Sequence, residues 1–320
     1  MTNPLAGIEL PDEIVDMNDL DEALKVLVYG PPGVGKTVLG GGADLVIATE
    51  KGVVSARRQG STAKVWPAVT WPDLRNAYSW VEEKCAEGVL TTAHWIALDS
   101  GTVMQEHALA DILETAVSNN EERDPDIPAI QDHQKWQNMF KRFIRKFNDL
   151  PVNVLYIATE MDGENEEGET IKVPSFQGKG VGISSWVCAQ MSAVGYMKIA
   201  KVRDKSVVQD DDAPPALKEV RRILWQPTGK VFAKDRSDMC GKFTTDRSLR
   251  EIESLMKTIP EGLSAHPKPV RAATPAKPPA KPRKAPTSAS KADKPVEKAA
   301  PPAPPAPEKV EVVADLDEDD

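Results

Sequence analysis

The chain has 320 residues, 40 Lys+Arg against 49 Asp+Glu, and a net charge of −9, which excludes a uniformly basic protein that coats DNA. Three cysteines, Cys85, Cys188 and Cys240, stand far apart with no histidines at metal spacing, which excludes a zinc ribbon or a disulfide framework. Length alone suggests two domains, but the last fifth is too poor in large apolar side chains to form one.

Residues 1–22 read as an N-terminal extension. The opening "MTNPLAGIELPDEIVDMNDLDEAL" has no basic region followed by an apolar core, and no run approaches the length of a membrane span. The expectation is a soluble protein of a reducing cytoplasm, the host's if the gene is a phage's, with no membrane partner.

The first predicted strand covers Ala23 to Tyr29 and leads into "GPPGVGKT". Gly30, Gly35, Lys36 and Thr37 fill the pattern G-x-x-x-x-G-K-[ST], with Pro31, Pro32, Gly33 and Val34 in the gap and Val38 just beyond. The chemistry explains the residue types. Glycines let backbone N–H groups point at phosphate oxygens, Lys36 reaches the β- and γ-phosphates, and the Thr37 hydroxyl ligates Mg²⁺. A short helix from Lys36 to about Gly40 adds its positive end. The predicted ligands are therefore ATP and Mg²⁺.

Further strands are predicted at Asp44 to Thr49, His94 to Leu98, Asn153 to Ala158 and Ser192 to Ile199, alternating with helices at Trp71 to Ala86, Val103 to Val117 and Ile130 to Asn148. That alternation implies an α/β fold with a mostly parallel central sheet flanked by helices. In the last helix Trp136, Met139, Phe140, Phe143 and Ile144 share one stripe, the mark of core packing. The segment "KEVRRILWQPTGKVFAKDR" reads as two strands joined near Pro227-Thr228-Gly229.

In a parallel sheet the C-terminal strand ends face one crevice. Asp99 closes "HWIALD" and is placed to hold Mg²⁺ through water opposite Thr37. Ser100 stands where a catalytic Glu often follows such an Asp, so the base is sought elsewhere. Glu50, closing "DLVIATE", is placed to orient the attacking water, and Thr159 and Glu160, closing "VLYIATE", to sense the γ-phosphate.

These residues in this order resemble the RecA-type P-loop ATPase core, and more narrowly the Sak-type phage recombinases, ATPases associated with single-strand annealing. The matching motifs are "GPPGVGKT", a Glu after the second strand, "IALDS", "VLYIATE" and a late K-x-R in "FAKDRS", spanning Ala23 to Gly241. The resemblance implies a RecA-like core over 23–262, and a homo-oligomer with shared active sites. Lys234 and Arg236 would reach the neighbouring subunit's nucleotide. It also implies single-stranded DNA as a partner in recombination, annealing or repair. The loops that would face DNA, "MDGENEEGETIKVPSFQGKGVG" and "KVRDKSVVQDDDAPPALK", carry Lys172, Lys179, Lys201, Arg203 and Lys205 among many acids, whereas a phosphate-binding groove is basic. A second reading is therefore a nucleotide-binding regulator or helicase-loader-like protein with weak DNA contact.

Residues 263–310, rich in Pro, Ala and Lys, cannot bury enough surface to offset their ordering entropy and read as a disordered linker. Residues 311–320 form an acidic tail, "DLDEDD" at its end, placed to meet single-strand-binding or replication proteins or to compete with DNA for basic surface.

Overall fold

Strand β1 (Lys25–Gly30) is buried along its whole length, and its neighbours explain why. It lies between β5 (Asn153–Glu164) and β7 (Ala193–Arg203), parallel to both. Outward from β5 follow β4 (Trp95–Asp99), β2 (Leu45–Ala48) and β3 (Lys64–Pro67), all parallel. Beyond β7 come β8 (Leu217–Leu224) and β10 (Phe243–Thr245), both antiparallel to their neighbours. Two short strands, β6 (Thr170–Pro174) on β5 and β9 (Lys234–Asp235) on β7, complete a ten-stranded sheet. This computed structural model describes residues 11, 14, 22–165, 167–177, 182–204 and 216–258.

Successive side chains of a strand point to opposite faces, so a sheet covered on both sides needs strands that are apolar throughout. Leu27, Tyr29, Ile96, Leu98, Val154 and Tyr156 enter one core, against α3 (Trp71–Ala86), α4 (Gly101–Asn119), α5 (Ile130–Asp149) and α6 (Gly182–Gln190). Val26, Val28, Trp95, Ala97, Leu155 and Ile157 enter the other, against α1 (Lys36–Gly40) and α7 (Leu249–Met256). The α5 stripe packs as its spacing predicts: Trp136, Phe140, Phe143 and Ile144 are buried and Met139 is partly so.

Capping sets the helix starts. Thr70 and Asp73 exchange hydrogen bonds at the head of α3, Ser100 accepts from the Val103 amide at the head of α4, and Ser248 and Glu251 do the same for α7. Because Ser100 caps α4, the Asp99 carboxylate is free for the crevice.

The α/β fold expected from the sequence, a mostly parallel central sheet flanked by helices, is the fold found, with three local differences. The fourth predicted strand does not stop at Ala158 but runs to Glu164 and turns back as β6, so the loop expected to face DNA is largely a hairpin. The fifth runs past Ile199 to Arg203 because β8 pairs along it. The strands either side of Pro227-Thr228-Gly229 do not pair with each other: β8 and β9 lie end to end on β7, and β8 takes β10 as its second neighbour. Short elements with weak patterns, α2 (Val54–Arg58), β3, β6, α6, β10 and α7, had no sequence expectation. No helix among the described residues is long and apolar enough to cross a membrane. The greater part of the extension 1–22, the linker 263–310 and the acidic tail 311–320 lie outside the described residues.

Candidate active site

The loop between β1 and α1 passes very close to β7. A Cβ on Gly30 would sit 2.2 Å from the Met197 carbonyl oxygen, so only glycine fits there. Gly35, at φ 101°, turns the chain into α1. That helix has five residues, so the positive end it was expected to supply is slight, and the anion cradle consists of loop amides and Lys36. Lys36 is buried, and its Nζ donates to the carbonyls of Gly30 and Pro31, each at 2.8 Å. Burial pulls its pKa down, opposed by the charges of Asp99, Glu160 and Glu50. An anionic ligand would relieve that cost.

Strand ends place the carboxylates. The Thr49 amide donates to the Asp99 carbonyl at 2.8 Å, joining the tips of β2 and β4, and the Asp99–Ser100 peptide that follows is cis. The Asp99 carboxylate and the Thr37 hydroxyl face the same cavity. Burial pushes the Asp99 carboxyl above its usual range and Glu50 adds to the rise, while Thr37 and Lys36 oppose it. A buried carboxylate and a hydroxyl in one cavity are two hard oxygen donors, which fits Mg²⁺, an ion that keeps most of its waters and takes one or two protein oxygens beside phosphate.

Lys36, Thr37, Glu50, Asp99 and Thr159 line one cavity of about 520 Å³, together with Pro32, Gly33, Gly35 and Val38 of the loop. Gly30 and Pro31 form its back through their carbonyls, and Val34 is buried in the core beneath it. Thr159 pairs in register with Gly30, and its amide and hydroxyl both meet the Thr102 hydroxyl, at 3.1 and 3.2 Å. Glu160 does not line the cavity; it lies near Tyr196, and Lys172 approaches it at 3.6 Å. Lys172 is held more closely by Asp162, at 2.7 Å.

Lys234 and Arg236 lie elsewhere. Lys234 pairs with Val194 near the N-terminal end of β7, opposite the strand tips that carry the loop. Its Nζ donates to Cys188 and Ala189 carbonyls at 3.0 and 3.3 Å, and Arg236 donates to Ala189 at 3.0 Å, so both neutralise the C-terminal end of α6.

Sequence reasoning missed Arg58 and Arg221, which line the same cavity. Arg58 follows Glu50 by eight residues on α2, and that proximity was the available signal. Arg221 reaches the loop through the β7–β8 pairing, across most of the chain, and had no local signal.

A family model described as an AAA domain matches residues 22–237. No curated protein matches the chain. Among solved structures, the KaiC-like protein of the hyperthermophilic archaeon Pyrococcus horikoshii aligns over 63% of this chain and 79% of that one, at 13% identity and a TM-score of 0.33.

Proposed function

The chain belongs to the AAA-domain family, and from that premise we propose that it is a magnesium-dependent ATPase whose hydrolytic cycle serves single-stranded DNA in recombination, annealing or repair. The observation that carries the hydrolytic part is the convergence of Lys36, Thr37, Asp99 and Glu50 in one cavity.

On nucleotide binding, Lys36 exchanges the carbonyls of Gly30 and Pro31 for β- and γ-phosphate oxygens, and loop amides hold the remaining oxygens. Mg²⁺, when bound, neutralises charge on those phosphates. Thr37 and Asp99 are the residues that would hold it. Glu50, exposed at the mouth, orients a water toward the γ-phosphate and accepts its proton. Arg58 and Arg221 place positive charge on the same cavity wall. The test is phosphate release with Mg²⁺ against release with excess chelator. Equal rates in both would overturn this reading.

The DNA part of the proposal is supported by the path outward from the site. Thr159 and Glu160 close the sheet portion of β5, and the same strand continues as the hairpin with β6, where Lys172 joins Glu160 to Asp162. A γ-phosphate that engages Thr159 shifts the root of that hairpin, whose far end would meet DNA or a partner. Single-stranded DNA should then raise ATP turnover by linkage. Turnover indifferent to DNA would favour the second reading, a nucleotide-gated regulator or helicase-loader-like protein, which the acidic residues of this hairpin support. The tail, as a docking segment for replication or single-strand-binding proteins, belongs to either reading. A homo-oligomer with shared active sites is supported by the position of Lys234 and Arg236 opposite their own loop.

A further inference from the structure

Between His133 and Asn148 the chain has no carboxylate, although acids outnumber bases over the whole sequence, 49 to 40. This stretch, most of α5, carries Lys141, Arg142, Arg145 and Lys146 in its last turns, and α6 beside it carries no charge. Lys141 and Arg145 stand one turn apart in one row along α5, and Arg142 and Lys146 in the next. The opposite side of the helix is the buried stripe of Phe140, Phe143, Ile144 and Phe147, so all four cations are turned outward. Arg142, Arg145 and Lys146 are exposed and Lys141 is half-buried.

Two ordinary reasons for such a cluster fail. Cations late in a helix commonly neutralise its last carbonyls, but here Lys25 donates to the Phe147 and Leu150 carbonyls from inside the core. Cations on a helix surface commonly pair with acids three or four residues away, but none of these four forms an ion pair with a described residue. Instead Lys141 and Arg145 share the ring of Trp186 on α6, at 5.5 and 5.2 Å from its centre, and Lys146 lies 5.1 Å from the centre of the Tyr78 ring. A ring holds a cation in place without cancelling its charge.

The β5–β6 hairpin is the reverse case. Its Lys172 is occupied by Asp162 at 2.7 Å and Glu160 at 3.6 Å. A polyanion gains affinity by releasing counterions at unpaired cations, which the α5–α6 face has and Lys172 is not.

The face is also joined to the nucleotide cavity. The Thr102 hydroxyl accepts from the Thr159 amide at 3.1 Å and donates to the Ser175 carbonyl at 3.3 Å. One residue back, the Pro174 carbonyl accepts the Ser184 hydroxyl of α6 at 2.7 Å. Thr159 lines the cavity, and Trp186 follows Ser184 by two residues.

We propose that Lys141, Arg142, Arg145 and Lys146, held by Trp186 and Tyr78, form the surface that takes the phosphates of single-stranded DNA. The inference rests on the DNA reading given above and moves the contact from the hairpin to the α5–α6 face. A nucleic acid fits better than a lipid surface, because neither α6 nor the segment from Lys141 to Lys146 exposes a large apolar side chain that could enter a bilayer. Cations interleaved with an aromatic ring are the usual make-up of a single-strand site.

The experiment is binding of fluorescent oligo(dT) to the full chain by anisotropy across a salt series. With Lys141→Gln, Arg142→Gln, Arg145→Gln and Lys146→Gln combined, affinity at low salt should fall at least ~100-fold, and the slope of log K against log salt should drop by about 3, four contacts at about 0.7 each. The pair Arg142→Gln and Arg145→Gln should give about half that change in slope, and serves if the fourfold variant has no melting transition. Lys172→Gln should change affinity less than about threefold, its charge being already paired. ATP turnover without DNA should stay as it is in the fourfold variant, while stimulation by oligo(dT) is lost. No binding of oligo(dT) by the unaltered protein at any salt would overturn the DNA reading and this surface together. Unchanged affinity and slope in folded variants would overturn the surface and leave the DNA reading standing. Phosphatidylserine vesicles that bind the unaltered protein where oligo(dT) does not, or a smaller assembly by light scattering in the fourfold variant, would overturn it in favour of a membrane or a subunit contact.

Discussion

The Thr49 hydroxyl accepts from the Ser100 amide at 2.8 Å and donates to the Ser100 carbonyl at 3.1 Å. This two-way bond locks the tip of β2 to the turn after β4, and it stands one residue from each of the two carboxylates, Glu50 and Asp99. Thr49 is almost fully buried, so neither partner has water as a substitute. Thr49→Val keeps the shape and removes both bonds, at a cost of about 1–3 kcal/mol in stability. Hydrolysis should fall at least ~10-fold as the carboxylates lose their spacing, while ATP affinity, which depends on the loop, changes little. Thr49→Ser should restore the rate. Single-turnover kinetics beside equilibrium binding check this, and a Thr49→Val enzyme at full speed would remove the clasp from the account.

Glu50→Gln should retain ATP and hydrolyse it ~10²- to 10⁴-fold more slowly, because the amide still occupies the mouth of the cavity but cannot take the proton. Binding and turnover measured on one preparation decide it. Loss of both together would give Glu50 a structural role.

The β1 loop, the parallel strands and the long helices were legible because each carries a local signature: a glycine–lysine pattern, apolar runs, a 3.6-residue stripe. Lys36, Thr37, Glu50, Asp99 and Thr159 could be grouped from the sequence because parallel strands deliver their C-terminal ends to one edge. Arg221 was not legible, since it meets the loop only through the antiparallel pairing of β8 with β7. The hairpin expected at Pro227 failed for a related reason. A turn signal shows where the chain bends, whereas the partners of β8 and β9 are set by the open edge of β7, which both strands use.

Lys25 gives a pH prediction. It is buried at the start of β1, and its Nζ donates to the carbonyls of Leu150 and Val152 at 2.8 and 2.6 Å and of Phe147 at 3.5 Å. Burial brings its pKa down to about 8, with the charges of Cys85 and Asp149 opposing the shift. The unfolded chain, with an ordinary lysine, therefore binds more protons than the native one between about pH 8 and 10.5, and stability from this group rises with pH across that window. Buried tyrosines and cysteines titrate in the opposite sense nearby, so the comparison must be with Lys25→Met. That variant should be less stable by on the order of 1–3 kcal/mol at pH 7, because three carbonyls lose their donor. The gap should widen at pH 9.5. Denaturant unfolding at the two pH values measures it, and a gap that narrows would contradict the burial of the ammonium group.

Truncation after Leu263 should leave ATP turnover unchanged and strengthen DNA binding at low salt, as removal of "DLDEDD" frees basic surface and screening is least there. Filter binding at two salt concentrations tests it. Weaker binding after truncation would instead make the basic segment 263–310 the DNA contact.

The last prediction concerns Lys234 and Arg236, whose side chains hold the end of α6 in their own subunit and sit opposite their own loop. If they serve a nucleotide, it is a neighbour's, and each active site is then shared. An arginine supplied across an interface is worth ~10³ to 10⁵ in rate, so Arg236→Ala should lose hydrolysis and keep ATP binding. Lys36→Ala should lose both, having given up the cation that faces the phosphates. Mixed together under conditions of subunit exchange, the two inactive proteins regenerate sites in which an intact loop meets an intact Arg236. Turnover should therefore rise to a maximum as one variant is titrated into the other. An Arg236 that acts within its own subunit, or only anchors α6, cannot produce that rise, because every chain in the mixture carries one lesion. A flat titration, with mixed oligomers confirmed by mass, would remove Arg236 from the chemistry and leave it as the anchor of α6.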